Sequence, residues 1–127
     1  MLLVYMTVTG QTRKFIRKVD YPTLELSPVN PFVEVDEDFI LIAPTYEKEV
    51  TDILWDFMDT SSNAKHCKGV FGGGNRNFAE LFGFTAKDIA RDYNVPLLHL
   101  FEFQGSKNDV LKLREEVERL AKNRITQ

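Results

Sequence analysis

A chain of 127 residues, of which 43% are hydrophobic, is long enough for one well-packed domain and short for two, so we expect a single domain over residues 1–127. Its formal net charge of −3 excludes proteins that coat nucleic acid or an anionic membrane through a strongly basic surface. The only cysteine, Cys67, excludes an internal disulfide and a cysteine-rich metal site.

The apolar stretches of the sequence are short. The longest, residues 1–6 and 39–43, fall far below the roughly 20 residues that span a bilayer. Because Met1 leads directly into an apolar strand, we expect no cleavable signal segment. The sequence therefore predicts a cytoplasmic protein without membrane or nucleic-acid partners.

Short apolar runs alternate with segments of helical periodicity along the chain. Strands are predicted at residues 2–6, 23–26, 39–43, 68–71 and 97–101, the second of them a short edge strand. Helices are predicted over residues 11–19 and 85–93, with Thr85 as the N-cap of the latter. Two further helices are predicted from apolar stripes, which are Val50, Ile53, Leu54, Phe57 and Met58 in one and Val110, Leu113, Val117, Leu120 and Ala121 in the other.

Five strands that alternate with helices predict an α/β three-layer sandwich with a five-stranded parallel sheet in the order 2-1-3-4-5. In such a sheet the ligand binds outside the carboxyl ends of the strands, at the switch between strands one and three. This rule selects the loops at residues 7–12, 44–49 and 72–78 as the candidate site.

The first loop has the sequence TVTGQT and contains three threonines around Gly10. Backbone N–H groups at the start of the following helix, together with hydroxyl and amide side chains, are suited to an anion such as a phosphate. The loop lacks the Gly-Lys-Ser/Thr ending of nucleoside-triphosphate loops, so magnesium and a triphosphate are not implied. An ordinary threonine-rich turn remains an alternative. The basic residues that follow, Arg13, Lys14, Arg17 and Lys18, are interpreted as a solvated face in preference to a partner surface.

The third loop is rich in glycine and asparagine. Gly72, Gly73 and Gly74 would let the backbone approach a ligand, and Asn75 and Asn77 would offer amides to the edge of a heterocycle. Phe78 would lie against a flat ring, whereas a flexible glycine turn is the alternative. We expect an exposed aromatic rim around the site, made of Tyr46, Phe78, Phe82, Phe84 and Phe103.

Other chemical signals in the sequence are weak. His66 and Cys67 are adjacent, which is poor geometry for two ligands of one metal, and His99 is interpreted as a core histidine with a hydrogen-bond partner. Asp36, Glu37 and Asp38 are interpreted as a solvated turn. No metal site and no nucleophilic catalytic pair are predicted.

The stretches TVTGQTRKF, GGGNRNFAELFG and FEFQGSKNDV together resemble the NrdI family, the flavodoxin-like activator proteins of class Ib ribonucleotide reductase. The resemblance covers essentially the whole chain, and GNRNF is its most specific part. It implies a flavodoxin-like fold and one non-covalent FMN. It also implies cofactor-binding residues in three loops, of which the one after strand three contributes Thr45, Tyr46 and Glu47. The other cofactor-binding residues are Thr7, Val8, Thr9, Gly10, Gln11, Thr12, Gly72, Gly73, Gly74, Asn75, Arg76, Asn77 and Phe78.

The resemblance also implies a function. Family members deliver electrons, or superoxide generated by the flavin, to the small subunit of the reductase, so we expect a redox accessory flavoprotein and not a stand-alone metabolic enzyme. The expected partners are that small subunit, docked through Arg76, Phe82 and Phe103, and an electron donor for the flavin. The alternatives are a general flavodoxin-type electron carrier and a flavin-impaired interaction module of the same fold.

The sequence departs from the family pattern after strand three, where a glycine-rich loop is usual. Here Tyr46, Glu47, Lys48 and Glu49 lead directly into a helix, and we expect these residues to tune the flavin. Without glycine the loop should change its peptide orientation less easily, and its carboxylates should disfavour an anionic reduced flavin.

Overall fold

A computed structural model of the chain describes residues 1–126, except the side chains of Glu80 and of residues 124–126. The strands are β1 (Leu2–Tyr5), β2 (Thr23–Glu25), β3 (Phe39–Ala43), β4 (Cys67–Gly74) and β5 (Leu97–Glu102). The helices are α1 (Gln11–Ile16), α2 (Lys48–Asp59), α3 (Asn63–His66), α4 (Phe84–Tyr93) and α5 (Lys107–Thr126), and a 3₁₀ segment covers Arg76–Leu81.

The five strands form one parallel sheet in the order β2-β1-β3-β4-β5, which confirms the predicted topology. The central strand β3 is fully buried along its whole length. Parallel strands covered on both faces are expected to be apolar throughout, and the sequence FILIA of β3 meets that expectation.

The two faces of the sheet support separate cores, because successive side chains of a strand point to opposite faces. Phe39, Leu41 and Ala43 pack with residues of α2 and α4, whereas Ile40 and Ile42 pack with residues of α1 and α5. Full burial of one such large apolar side chain contributes about 1.5–3 kcal/mol. Helices on both faces make the three-layer sandwich.

Several predicted boundaries and faces are wrong. Helix α1 ends at Ile16 and not at residue 19, and the short helix α3 was not predicted. Val50 is 42% exposed, while Thr51 takes its place in the buried stripe of α2. Ala121 is exposed as well.

None of the helices in residues 1–126 is long and apolar enough to cross a membrane. That finding agrees with the absence of a bilayer-length apolar run in the sequence.

Candidate functional site

A cleft of about 370 Å³ opens at the carboxyl edge of the sheet, beside the ends of β1, β3 and β4. Its position is the switch point of the strand order, where open α/β sheets bind ligands. The predicted cofactor residues that line it are Thr7, Val8, Thr9, Gln11, Thr12, Thr45, Tyr46, Gly73, Gly74, Asn75 and Phe78. The predicted residues outside this lining are Gly10, Glu47, Gly72, Arg76 and Asn77. The structure thus brings the three predicted loops together.

The loop of residues 7–12 turns sharply before α1. Gly10 has a φ of +91°, in the left-handed region that favours glycine, and its N–H donates to the Thr7 hydroxyl at 3.0 Å. The Gly10 carbonyl accepts from the Lys14 N–H at 3.0 Å, which starts the helix. Thr9 is exposed on the loop and Thr12 is buried. The loop therefore offers neutral hydroxyl and amide groups to the cleft.

The first basic residue after this loop is neutralised within the protein. Arg13 donates to both carboxylate oxygens of Glu25 on β2, at 3.0 Å each, and the Tyr5 hydroxyl donates to the same carboxylate at 2.6 Å. The hydrogen bond from Tyr5 is the main cause that lowers the pKa of Glu25, although partial burial opposes it. Because Arg13 is paired in this way, the positive charge nearest the loop is balanced. No local pattern in the sequence indicates this role of Glu25, because it lies 12 residues away from Arg13.

The loop after β3 is bonded at successive residues. The Thr45 hydroxyl donates to the Gly73 carbonyl at 2.6 Å, and the Tyr46 N–H donates to the Thr85 hydroxyl at 3.3 Å. The Thr85 hydroxyl donates in turn to the Tyr46 carbonyl at 3.2 Å. The prediction of Thr85 as an N-cap is therefore wrong: α4 begins at Phe84 after Gly83, and the Thr85 side chain binds the neighbouring loop.

The predicted tuning residues lie at the start of α2. Lys48 is the first helical residue, and its ammonium lies 3.6 Å from Asp52 and 4.1 Å from the centre of the Trp55 ring. Glu47 and Glu49 are exposed. These residues lead directly into α2, as predicted, and the Glu47 carbonyl accepts the Val50 N–H at 2.9 Å.

The glycine run was predicted as a ligand-binding loop, yet it forms the end of β4. A Cβ at Gly72 would lie 2.6 Å from Cβ of Ala86, and one at Gly73 would lie 3.0 Å from the Phe101 ring. A side chain at Gly72 would clash with α4, whereas one at Gly73, which also lines the cleft, would require the Phe101 ring of β5 to shift. Gly74 differs, since a Cβ there would meet the Thr45 hydroxyl at 3.1 Å on the wall of the cleft.

The segment after β4 forms the outer wall of the cleft. The Asn75 side chain accepts from the Asn77 N–H at 2.9 Å and so caps the 3₁₀ segment. Ala79 has a φ of +51°, which is a strained conformation for a residue with a Cβ. Asn77 takes part in this cap through its backbone N–H. The turn is explained without its side-chain amide, which was predicted to contact a ligand.

Only part of the predicted aromatic rim is exposed. Phe78, Phe82 and Phe103 all line the cleft, and Phe78 and Phe103 are 63% and 51% exposed. Phe82 is only 9% exposed, so the prediction that it is exposed is wrong. Phe82 is covered in part because the Arg76 guanidinium lies 5.1 Å from its ring centre. Phe84 is half-buried in α4 and does not belong to the cleft lining. Exposed Leu81, which also lines the cleft, was missed, and Val8, which was predicted to bind the cofactor, is exposed at the cleft as well.

The remaining titratable residues have structural roles. His99 binds the Asp109 carboxylate at 2.7 Å, as expected for a histidine with a partner. Asp38 is not a solvated turn residue, because it accepts from His66 at 3.3 Å. Burial raises the pKa of the Cys67 thiol to about 11, so this cysteine stays protonated at neutral pH. No group of three or more potential metal ligands occurs among the described residues.

The sheet order and the cleft define a flavodoxin-like α/β protein. The sequence model of the family described as NrdI flavodoxin-like matches residues 3–115. Protein NrdI of Bartonella henselae is 31% identical over 130 residues, covering 98% of each chain. Protein NrdI of Mycoplasmoides gallisepticum is 35% identical, covering 94% of this chain and 84% of that protein. The chain belongs to the NrdI flavodoxin-like family, as the sequence motifs predicted.

A solved structure supports the fold independently. It is described as a short-chain flavodoxin associated with a non-canonical PDU bacterial microcompartment, with a TM-score of 0.64 and 19% identity over 96% of both chains. At this identity the likeness concerns the fold alone. Family membership identifies the chain as a flavin-binding protein associated with ribonucleotide reductase.

Proposed function

We propose that the cleft binds FMN and that the protein activates the small subunit of a class Ib ribonucleotide reductase. The observation that carries this proposal is the cleft itself, which lies between the loop of residues 7–12 and the segment around Gly74 and Phe78. The family to which the chain belongs supports the identity of the partner.

The residues of the cleft fit a flavin mononucleotide in two respects. Its volume of about 370 Å³ falls within the range of roughly 300–1,000 Å³ of small-ligand pockets. Its lining also combines two kinds of group. Thr7, Thr9 and Gln11, in the loop after β1, supply neutral polar groups for the phosphate, and Phe78 and Phe103, after β4 and β5, supply aromatic surface for a flat ring together with Tyr46 after β3.

Bound FMN would supply one-electron and two-electron redox chemistry, which protein side chains lack. The residues of this chain bind, orient and partly cover the group. Neutral donors in residues 7–12 bind the phosphate by charge-assisted hydrogen bonds, and the apolar wall of Leu81 and Phe82 keeps water from one side. The delivered species would be either electrons or superoxide.

The exposed apolar residues around the mouth are suited to docking of the reductase subunit. Val8, Phe78, Leu81 and Phe103 are each at least half exposed, and all four line the same cleft. Contiguous exposed apolar surface of this kind is typical of protein interaction sites. Arg76, at the edge of this surface, offers the charged contact. Docking here would place the partner over the bound flavin.

Titration of the apo-protein with FMN, riboflavin and FAD tests the cofactor assignment. We expect tight binding of FMN and at least tenfold weaker binding of riboflavin, because removal of the phosphate forfeits several charge-assisted hydrogen bonds. FAD should also bind poorly. The variant Thr9→Val should lower FMN affinity and leave riboflavin affinity unchanged, whereas Thr60→Val on the far end of α2 should change neither. Equal affinity for FMN and riboflavin would contradict a phosphate site at residues 7–12.

Capture of the purified small subunit tests the partner. Binding by the FMN-loaded protein, with no comparable binding to an unrelated flavodoxin-dependent reductase, would support the activator over a general electron carrier. Flavin-independent capture, together with failure to bind FMN, would instead support an interaction module that lost its redox role.

A further inference from the structure

Thr85 connects α4 to the loop at the mouth of the cleft. It is 1% exposed and does not itself line the cleft, yet its hydroxyl oxygen accepts from the Tyr46 N–H at 3.3 Å and donates to the Tyr46 carbonyl at 3.2 Å. The two residues are 39 positions apart in the sequence. One buried hydroxyl therefore binds both polar backbone groups of a single cleft residue.

These two bonds fix two successive peptide planes. The Tyr46 N–H belongs to the peptide that joins it to Thr45, and the Tyr46 carbonyl belongs to the peptide that joins it to Glu47. Rotation of either peptide plane would break one of the bonds and leave part of the Thr85 hydroxyl unpaired in a buried position. An unpaired buried polar group is costly, so both rotations are disfavoured.

The residues on either side of Tyr46 are restrained as well. The Thr45 hydroxyl donates to the Gly73 carbonyl of β4 at 2.6 Å, and the Glu47 carbonyl accepts the Val50 N–H of α2 at 2.9 Å. The segment 45–47 is thus bonded to β4, α4 and α2 at three consecutive residues. Among these contacts, only the Thr85 hydroxyl binds both the N–H and the carbonyl of a single residue, Tyr46.

We propose that Thr85 is a positioning residue that holds the Tyr46 backbone in one orientation, so that a flavin meets a preformed wall at this side of the cleft. The proposal rests on the proposed function for the identity of the ligand, but the restraint on Tyr46 belongs to the protein alone. Preorganisation of this kind lowers the entropic cost of binding.

Amide hydrogen exchange of the wild-type apo-protein, measured by NMR, tests the restraint without any cofactor. We expect the Tyr46 amide to exchange at least tenfold more slowly than its intrinsic unfolded rate predicts. A Tyr46 amide that exchanges at the rate of an unprotected amide would overturn the proposal, and this measurement does not depend on the folding of any variant.

The variants Thr85→Val and Thr85→Ser separate the hydroxyl from the shape of the side chain. Valine keeps the volume and removes both hydrogen bonds, whereas serine keeps the hydroxyl. We expect faster Tyr46 exchange in Thr85→Val, relative to the amide of Ile42 in β3, and near wild-type exchange in Thr85→Ser. Thr60→Val is the matched control, since it also removes a threonine hydroxyl that donates to a carbonyl, that of Asp56, but in another part of the fold. Equal Tyr46 exchange in Thr85→Val and wild type would overturn the proposal.

Flavin binding gives the second readout. The dissociation constant for FMN should rise roughly three- to tenfold in Thr85→Val and stay within about twofold of wild type in Thr85→Ser and Thr60→Val. The reduction potential of the bound flavin should change in Thr85→Val and be restored by serine. Unchanged affinity and potential in Thr85→Val would contradict a role toward the flavin. Absence of FMN binding by the wild type would refute the proposed function and leave the exchange result valid.

Discussion

Arg76 and Glu102 are joined at the mouth of the cleft by two contacts. The Arg76 guanidinium lies 2.9 Å from one carboxylate oxygen of Glu102, and the Arg76 backbone N–H donates to the other oxygen at 3.2 Å. The guanidinium is exposed, so the ion pair itself contributes only about 0–1 kcal/mol to stability. Its effect is to hold the guanidinium near the ring of Phe82, 5.1 Å from the ring centre, on the wall of the cleft.

This arrangement predicts the effect of mutations on docking. Arg76→Ala should weaken capture of the reductase small subunit by about 1–4 kcal/mol while FMN stays bound, and Phe103→Ala should weaken capture by a similar amount, because truncation of an interface hot spot has costs of this size. Since Phe103 also lines the cleft, capture by Phe103→Ala is measured at saturating FMN. Binding would be measured by calorimetry with both proteins in the same buffer. Arg91→Ala, which removes an exposed arginine of α4, is the matched control. Unchanged affinity in both rim variants would show that the subunit docks elsewhere.

The variant Glu102→Gln tests whether Arg76 contacts the partner itself or acts by pairing with Glu102. If Arg76 contacts the partner directly, Glu102→Gln should keep most of the affinity that Arg76→Ala loses. Equal losses in the two variants would mean that the ion pair matters through the position of the 75–82 segment.

Gly10 should resist replacement by alanine for conformational reasons alone. An added Cβ would have no atom within 4 Å, but the φ of +91° is unfavourable for alanine, so Gly10→Ala should lower the free energy of unfolding by about 1–2 kcal/mol. It should also weaken FMN binding, since the loop of residues 7–12 would change shape. Gly10→Asn should have a smaller effect, because asparagine tolerates the left-handed region. Urea unfolding and FMN titration measure both quantities, and equal stability of Gly10→Ala and wild type would refute the argument.

The carboxylates of Glu47 and Glu49 should affect the flavin weakly. Both are exposed, and in water two unit charges at contact distance interact by only about 1 kcal/mol, which corresponds to about 40 mV for one electron. The double variant Glu47→Gln/Glu49→Gln should therefore raise the reduction potential of the bound flavin by less than about 80 mV, and by less at high salt.

Spectroelectrochemistry at low and high ionic strength measures this change in potential. Glu37→Gln, an exposed carboxylate that precedes β3 at the opposite edge of the sheet, serves as the control. A potential that falls in the double variant would show that these carboxylates do not act on the flavin through their charge.

Asp109 should make the stability of the protein depend on acid pH. Burial opposes ionisation of this carboxyl, but hydrogen bonds from Ser106 and His99 outweigh it and hold its pKa below the ordinary value of 3.8. A depressed pKa contributes stability that is present above 3.8 and is lost as the pH falls through the folded-state pKa.

Asp109→Asn should therefore lower the free energy of unfolding by about 1 kcal/mol at pH 7, and its difference from wild type should shrink below about pH 4. Asparagine keeps one oxygen that can accept from Ser106, but it puts an NH2 group in place of the oxygen that binds His99, so the change removes the charge together with one acceptor. Urea unfolding at several pH values checks the result, with exposed Asp20→Asn as the control. A difference that persists at pH 3 would mean that packing, and not ionisation, sets the effect.

The sequence by itself determined the architecture. The alternation of short apolar runs with helical stripes predicted five parallel strands in their correct order, and the bounds of β3 were predicted without error. These features follow from local hydrophobic periodicity, which depends on near neighbours in the chain. The switch-point rule then selected the three loops that meet in the cleft, and the motifs identified the family.

Only the tertiary structure decided which residues face the cleft and which support it. Gly72 was predicted in a ligand-binding loop, but it lies outside the cleft lining and packs against Ala86, whereas Gly73 both lines the cleft and packs against Phe101. Phe82 was predicted as exposed, but it is buried in the cleft wall near Arg76. Thr85 looked like a helix cap, yet its hydroxyl binds a residue 39 positions away. Such contacts join segments that are distant in the chain, and a local pattern contains no information about the distance between their atoms.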